Sequence, residues 1–145
     1  MRKIDHSCII HLHEVHETEN TYYMIMDYLE GETLLEMIKN QGRLTYFQIM
    51  NLMIAIAQGL KYLHSQGIIH RDLKPENILF QDTSLKDPVI VDLGLATFEN
   101  ESEYLFPRCG TPGYVAPEVI NIKSQSAKYS SVCDVFSLGV IFHIL

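Results

Sequence analysis

The sequence is short of cysteine and of long apolar runs, and each shortage excludes a class of protein. Its three cysteines are widely spaced and form no Cys-x-x-Cys pair, which argues against a disulfide framework and against a zinc site. We therefore expect an intracellular, reducing location, in the cytoplasm. The longest apolar stretch, residues 135–145, is much shorter than the roughly 20 residues of a membrane-spanning helix. It predicts a buried core helix and no membrane segment.

Basic residues are also scarce. Lysine and arginine number 11 against 18 acidic residues, which gives a formal net charge of -7. This balance disfavours binding to nucleic acid or to an anionic membrane, and it suits basic peptides better. With 145 residues, of which 47% are hydrophobic, the chain can bury the core of one domain or of part of one.

Two apolar runs near the start predict a β-hairpin. Residues 8–15 and 22–28 are rich in Ile, Val, Leu and Tyr, and a polar turn separates them. Two capping boxes follow, and their first residues are Thr33 and Thr45. They predict two helices, of which the first ends at Gly42 and the second ends before Gly67.

The second half of the chain predicts one short strand, a long irregular segment and a final helix. Residues 88–92 form the apolar strand, and Ser130 or Ser131 can cap the helix. Residues 93–117 show no periodic pattern. An irregular segment of that length inside a compact domain usually indicates a functional loop.

Three short motifs carry the chemistry. They are His-Arg-Asp-Leu-Lys-Pro-Glu-Asn at 70–77, Asp-Leu-Gly directly after the strand at 92–94, and Ala-Pro-Glu at 116–118. In this order they resemble the signature set of protein kinases, and the resemblance covers nearly the whole chain. It implies an α+β, kinase-like fold, made mainly of the helical C-lobe with a small β-hairpin remnant of the N-lobe.

The resemblance also divides the chain into parts. Residues 1–30 correspond to the N-lobe hairpin and the hinge. Residues 31–145 correspond to the C-lobe, with the catalytic loop, the activation segment between the second and third motifs, and the start of the central helix. The Asp-Leu-Lys-Pro-Glu-Asn loop and the stretch 110–118 resemble Ser/Thr kinases, particularly the calcium/calmodulin-dependent and related groups.

Phosphoryl transfer accounts for these residue types, because it needs neutralised phosphate charge and a hydroxyl placed in line. By the resemblance, Asp72 accepts the proton of a protein Ser or Thr hydroxyl and Lys74 contacts the transferred phosphate. Thr111 braces both side chains. Asn77 and Asp92 supply oxygen ligands to Mg²⁺.

An ATP site is implied as well. Met26 stands at the gatekeeper position, Asp27 to Leu29 offer backbone groups to adenine, and Leu34 and Leu79 form the floor beneath the ring. The full nucleotide-binding set is Met26, Asp27, Leu29, Leu34, Lys74, Glu76, Asn77, Leu79 and Asp92. Thr33 and His143 replace acidic residues that related kinases commonly carry, which weakens the preference for a basic peptide. Glu76, with Glu30 or Glu32, remains as an acidic group for such a peptide.

For regulation, the sequence leaves two alternatives open. Arg71 corresponds to an arginine that usually grips a phosphate on the activation segment, and Pro107 stands where that phosphate commonly sits. Two substitutes remain open: an acidic side chain, Glu101 or Glu103, and phosphorylation of Ser102 or Tyr104. Asp134 is expected to anchor His70, which by the resemblance stacks with Leu12 and Leu93.

The 145 residues contain no Gly-rich loop, no Val-Ala-Ile-Lys strand and no partner glutamate helix, and Lys3 lacks that context. We therefore expect this polypeptide alone to be inactive. The alternative is a non-catalytic kinase fragment or pseudokinase that acts as a binding module. The intact Asp72, Asn77 and Asp92 argue against a degenerate lineage.

Overall fold

The computed structural model describes residues 4–42, 44–124 and 127–145, so Lys3 lies outside the described residues. The elements are β1 (Leu12–Glu17), β2 (Tyr22–Met26), α1 (Leu34–Gln41), α2 (Tyr46–Ser65), β3 (Ile68–Ile69), β4 (Ile78–Phe80), β5 (Pro88–Ile90), β6 (Thr97–Phe98), α3 (Pro117–Ile120) and α4 (Val132–Ile144). A 3-10 turn, Pro75–Asn77, lies directly before β4. The predicted α+β class is confirmed.

The predicted hairpin forms, but its first strand begins later than expected. Strands β1 and β2 pair antiparallel, with Val15 opposite Met24. The residues before β1 pair elsewhere: Ile10 N–H donates to the Ile90 carbonyl at 2.9 Å, and Ile90 N–H donates to the Cys8 carbonyl at 2.8 Å. The strand predicted at 8–15 is therefore divided between β5 and β2.

Both predicted capping boxes are present. The Thr33 hydroxyl accepts a hydrogen bond from Glu36 N–H while the Glu36 carboxylate accepts one from Thr33 N–H. Thr45 and Gln48 do the same at the start of α2. Gly42 and Gly67 follow the two helices with φ of 70° and 69°, a conformation that glycine adopts without a steric penalty.

The start of α4 differs from the expectation. Ser131 occupies the N-cap position, but its hydroxyl makes no capping bond. Its backbone N–H donates instead to Glu99 Oε1 at 3.1 Å, and Val132 N–H donates to Ser130 Oγ at 3.4 Å. A carboxylate at a helix N-terminus also interacts favourably with the helix dipole. Glu99 thus ties the activation segment to α4.

Two buried clusters position the site. The larger one surrounds Ile56 and Leu60 of α2 and includes residues of α1, β4, β5 and α4. The second consists of Ile69, Tyr104, Ala116, Val119, Tyr129 and Cys133, and it packs the activation segment against the base of α4. Within the described ranges, no helix has both the length and the apolar character needed to cross a bilayer.

Candidate active site

The catalytic loop lies between two strands, β3 and β4, each of which pairs with a second short strand. Strand β3 pairs with β6, and β4 pairs with β5 in the register Ile78 opposite Ile90. Leu73 is fully buried in the larger core cluster, whereas its neighbours Asp72 and Lys74 are partly exposed. The buried leucine therefore fixes the loop while the two charged side chains remain accessible from solvent.

Asp72 is the centre of a polar network. Thr111 Oγ1 donates to Asp72 Oδ1 at 2.6 Å, and Lys74 Nζ lies 2.8 Å from Asp72 Oδ2. Lys74 Nζ also donates to Thr111 Oγ1 at 2.7 Å. Asn77 Nδ2 donates to Asp72 Oδ2 at 3.2 Å and to its backbone carbonyl at 2.9 Å. The structure thus brings together all four residues that the sequence assigned to catalysis.

Asp134 holds the backbone of the loop from below. This fully buried carboxylate accepts hydrogen bonds from His70 N–H and Arg71 N–H, each at 2.8 Å. Arg71 has φ of 71°, which is unfavourable for a residue with a side chain, so these bonds help to hold a strained backbone. The predicted anchoring role of Asp134 toward His70 agrees with this contact.

The sequence reasoning missed His64. Its Nε2 lies 2.9 Å from Asp134 Oδ2, so a residue of α2 shares the carboxylate that supports the catalytic loop. The two residues are 70 positions apart. No local pattern around His64 connects it to the site, and only the packing of α2 against α4 does so.

Asp92 lies at the end of the strand segment that leads from β5. It is exposed, it has φ of 58°, and its Oδ1 accepts a hydrogen bond from Gly94 N–H at 3.1 Å. Val91 N–H donates to the Asn77 carbonyl at 2.9 Å. This bond places the two residues predicted to bind Mg²⁺, Asn77 and Asp92, on adjacent segments.

The donor set fits Mg²⁺. Asn77 Nδ2 is hydrogen-bonded to Asp72, which leaves the amide oxygen as the ligand atom, and Asp92 adds an exposed carboxylate. Mg²⁺ commonly takes one or two protein oxygens and completes its shell with water and phosphate oxygens. Among the described residues, no three His, Cys, Asp or Glu side chains gather into a cage for a different metal.

A cavity of about 470 Å³ lies between the hairpin and β4. Five residues of the predicted nucleotide set line it: Met26, Asp27, Leu29, Leu79 and Asp92. Its volume lies in the range of roughly 300–1,000 Å³ that is typical of small-molecule sites. The cavity therefore joins the predicted adenine site to the predicted metal ligand.

Four members of the predicted nucleotide set lie elsewhere. The expectation that Leu34 forms part of the floor beneath adenine is corrected. Leu34 is fully buried in the larger core cluster and does not line the cavity, because α1 turns this side chain toward the core. Its neighbour Thr33 forms a backbone bridge with Leu79, so the residue before α1 lies beside the floor of the cavity. Lys74 and Asn77 belong to the Asp72 network, and Glu76 is exposed on the 3-10 turn.

Arg71 makes contacts that the sequence did not predict. Its Nε donates to the Leu95 carbonyl at 2.6 Å, and its Nη1 donates to the Phe106 carbonyl at 2.8 Å and to the Tyr129 hydroxyl at 3.2 Å. The Tyr104 ring lies 5.3 Å from its Cζ. These four partners are all uncharged.

The hypothesis that Glu101 or Glu103 pairs with Arg71 is therefore wrong in this structure. Both glutamates are exposed, and none of the ion pairs among the described residues includes Arg71. Phosphorylation of Tyr104 is also disfavoured. Its side chain is 4% exposed and its hydroxyl donates to the Tyr129 carbonyl at 3.0 Å.

Comparison with known proteins agrees with this geometry. The family described as "Protein kinase domain" matches residues 1–145. The chain is 42% identical to a probable serine/threonine-protein kinase 2 of Plasmodium falciparum and 39% identical to calcium-dependent protein kinase 5 of Plasmodium berghei. It is 36% identical to a probable myosin light chain kinase of Dictyostelium discoideum.

Each of these alignments covers the whole chain but only 28%, 25% and 47%, respectively, of the relative's own length. The chain thus spans less than half of the curated relatives that it matches. The family match, the three ordered motifs and the Asp72 network point to the same conclusion. This chain belongs to the protein kinase family.

Proposed function

We propose that the protein containing this chain transfers a phosphoryl group from ATP to Ser or Thr hydroxyls of protein substrates. The observation that carries the proposal is the Asp72 carboxylate, which is held by Thr111, Lys74 and Asn77. Asn77 is in turn bonded through its carbonyl to Val91, which lines a cavity of nucleotide size. The names of the relatives support the same reaction, since all three are kinases.

Asp72 is the base in this proposal. Its two carboxylate oxygens are oriented by three neighbours, so the direction in which it accepts a hydrogen bond is set before the substrate binds. A substrate hydroxyl placed beside it is oriented toward the phosphate and transfers its proton to the carboxylate. Lys74, an amino group in contact with Asp72 and Thr111, is available to contact the transferred phosphate.

The nucleotide is proposed to enter the cavity between β2 and β4. Asp27 N–H donates to the His11 carbonyl at 3.1 Å, so at this residue the carbonyl is the group left for adenine. Among the described residues, the Leu29 N–H has no backbone partner, and it is the donor that adenine needs. Mg²⁺ bound by Asn77 and Asp92 would neutralise charge on the phosphate oxygens.

Replacing Asp72 tests the proposal. In the complete protein, we expect Asp72→Asn to lower kcat by about 100-fold or more, which is the scale of losing a general base. The KM for ATP should change little, because Asp72 does not line the nucleotide cavity. Transfer of radiolabelled phosphate to a generic Ser/Thr substrate measures both constants.

Asp87→Asn is the matched control, since Asp87 is exposed on the loop between β4 and β5. It should turn over like the wild type. Near-normal turnover of Asp72→Asn would remove Asp72 from the mechanism. The alternative, a binding module without catalytic activity, predicts that the wild type itself shows no transfer that depends on Asp72.

A further inference from the structure

Arg71 and the activation segment are joined through two buried tyrosines. Tyr129 is 7% exposed and its hydroxyl accepts the Arg71 Nη1 hydrogen bond. Tyr104 is 4% exposed, its ring faces Arg71, and its hydroxyl donates to the Tyr129 carbonyl. The two rings lie 5.1 Å apart in an edge-to-face arrangement, which is a favourable geometry for an aromatic pair. We call this group, Arg71 with Tyr104 and Tyr129, the tyrosine clasp.

We propose that the tyrosine clasp fixes the position of the activation segment relative to the catalytic loop without a phosphate. In this proposal Tyr129 is a positioning residue that acts on Asp72 through Arg71. The proposal rests on the phosphoryl transfer proposed above.

The hydrogen bonds of Arg71 connect the clasp to the catalytic loop and to the activation segment. The guanidinium bonds the activation segment at Leu95, near its start, and at Phe106, past its middle. Arg71 directly precedes Asp72 in the chain, and its backbone N–H donates to the Asp134 carboxylate. A displacement of the guanidinium would therefore shift the segment relative to Asp72. Thr111, which is part of that segment, would lose its alignment with the Asp72 carboxylate.

Burial keeps the two tyrosines of the clasp uncharged beside the Arg71 guanidinium. Burial raises the pKa of Tyr129 above its ordinary value, although the hydrogen bond from Arg71 opposes the shift. Burial is also the main cause that raises the pKa of Tyr104. Both hydroxyls therefore stay protonated at physiological pH. The guanidinium already has three oxygen acceptors and an aromatic face, so its hydrogen-bonding needs are largely met within the chain.

The first experiment compares Tyr129→Phe with the wild type in the complete protein made in bacteria. The substitution keeps the buried ring and removes the hydroxyl that accepts from Arg71. We expect kcat to fall about fivefold while the KM for ATP stays within twofold, because Tyr129 does not line the nucleotide cavity. Phosphatase treatment of the wild type, checked by mass spectrometry, should leave kcat unchanged. Tyr46→Phe, at an exposed tyrosine at the start of α2, is the control and should match the wild type.

The second experiment does not require activity. Cys109 belongs to the activation segment and its Sγ lies 3.8 Å from the Tyr129 hydroxyl, whereas Cys133 is buried. The rate at which iodoacetamide alkylates Cys109, followed by peptide mass spectrometry, reports how firmly the segment is held. We expect a rate at least threefold higher in Tyr129→Phe and also in Tyr104→Phe, which has no contact of its own with Cys109 among the described bonds.

The outcomes separate the two proposals. If the wild type shows no Asp72-dependent transfer, the proposed reaction fails, and the alkylation rates still decide whether the clasp holds the segment. If transfer is normal but kcat falls on phosphatase treatment and not in Tyr129→Phe, a phosphate holds the segment and the clasp proposal is overturned. Unchanged kcat and unchanged alkylation in Tyr129→Phe would overturn it as well.

Discussion

Thr111 shows how a single hydroxyl can connect two distant parts of a catalytic site. Its Oγ1 donates to Asp72 Oδ1 and accepts from Lys74 Nζ, so one atom orients both the proposed base and the proposed phosphate-binding amine. The two bonds cross 39 and 37 residues of sequence. Gly110 makes this approach possible: it has φ of 104°, and a Cβ there would lie 2.8 Å from the Arg71 carbonyl.

Replacing Thr111 should therefore affect turnover more than binding. In the complete protein, we expect Thr111→Ala to lower kcat by at least about tenfold, because a hydrogen bond to a charged group contributes roughly 1.5–3 kcal/mol and about 1.4 kcal/mol corresponds to a factor of ten in rate. Thr111→Ser keeps the hydroxyl and should stay within about twofold of the wild type. Steady-state kinetics on both variants checks this. Equal losses in the two variants would show that the methyl group matters and the hydroxyl does not.

Among the elements, α1 is stabilised at its first turn by a capping box. The Thr33 hydroxyl accepts from Glu36 N–H at 3.1 Å, and the Glu36 carboxylate accepts from Thr33 N–H at 2.8 Å. These bonds lie beside the bridge between Thr33 and Leu79, so the start of α1 also supports the floor of the cavity. We expect Thr33→Ala to lower the free energy of unfolding by about 1 kcal/mol, a typical value for an N-cap.

The same capping box predicts a pH dependence. Hydrogen bonds from the Thr33 backbone N–H and hydroxyl hold the pKa of Glu36 below its ordinary value. A carboxyl whose pKa is lower in the folded state stabilises the fold above its ordinary pKa, and this contribution disappears as the pH falls through the folded value. Denaturant unfolding between pH 3 and pH 6 should therefore show that the free energy of unfolding falls more on acidification for the wild type than for Glu36→Gln. The variant keeps the capping geometry without the charge. Parallel curves for the two proteins would contradict this.

At the scale of the whole molecule, apolar surface is exposed at both ends of the fold. Every residue of β2 is exposed, from Tyr22 at 67% to Met26 at 41%. On α4, five large apolar side chains are exposed: Val132, Val135, Phe136, Phe142 and Ile144. A two-stranded hairpin is marginally stable in water, and contiguous exposed apolar patches promote association.

We therefore expect the isolated 145-residue polypeptide to aggregate and to transfer no phosphate above background. Size-exclusion chromatography with light scattering, followed by a radiolabelled-ATP assay, would measure both properties against the complete protein. A monodisperse monomer with Asp72-dependent activity would contradict this expectation. The expected lack of activity has a separate physical reason, because the 145 residues contain no Gly-rich loop and no Lys–Glu pair to hold the phosphates.

The sequence by itself determined the motifs, the termini of α1 and α2, and the members of the polar network around Asp72. Capping boxes and helix-ending glycines depend on residues three or four positions apart, so Thr33, Thr45, Gly42 and Gly67 marked the ends of α1 and α2 correctly. The catalytic loop could be recognised because its chemistry requires particular side chains at fixed spacing. Asp72, Lys74, Asn77 and Thr111 indeed converge in one network.

Only the tertiary structure decided which distant groups complete the site. The partners of Arg71, the place of His64 beside Asp134 and the capping of α4 by Glu99 all join residues more than 20 positions apart. The burial of Leu34 and the diversion of residues 8–10 to β5 were decided in the same way. Local patterns carry no information on these contacts, because buried polar groups take whichever acceptor the packing of α2, α4 and the activation segment brings within reach.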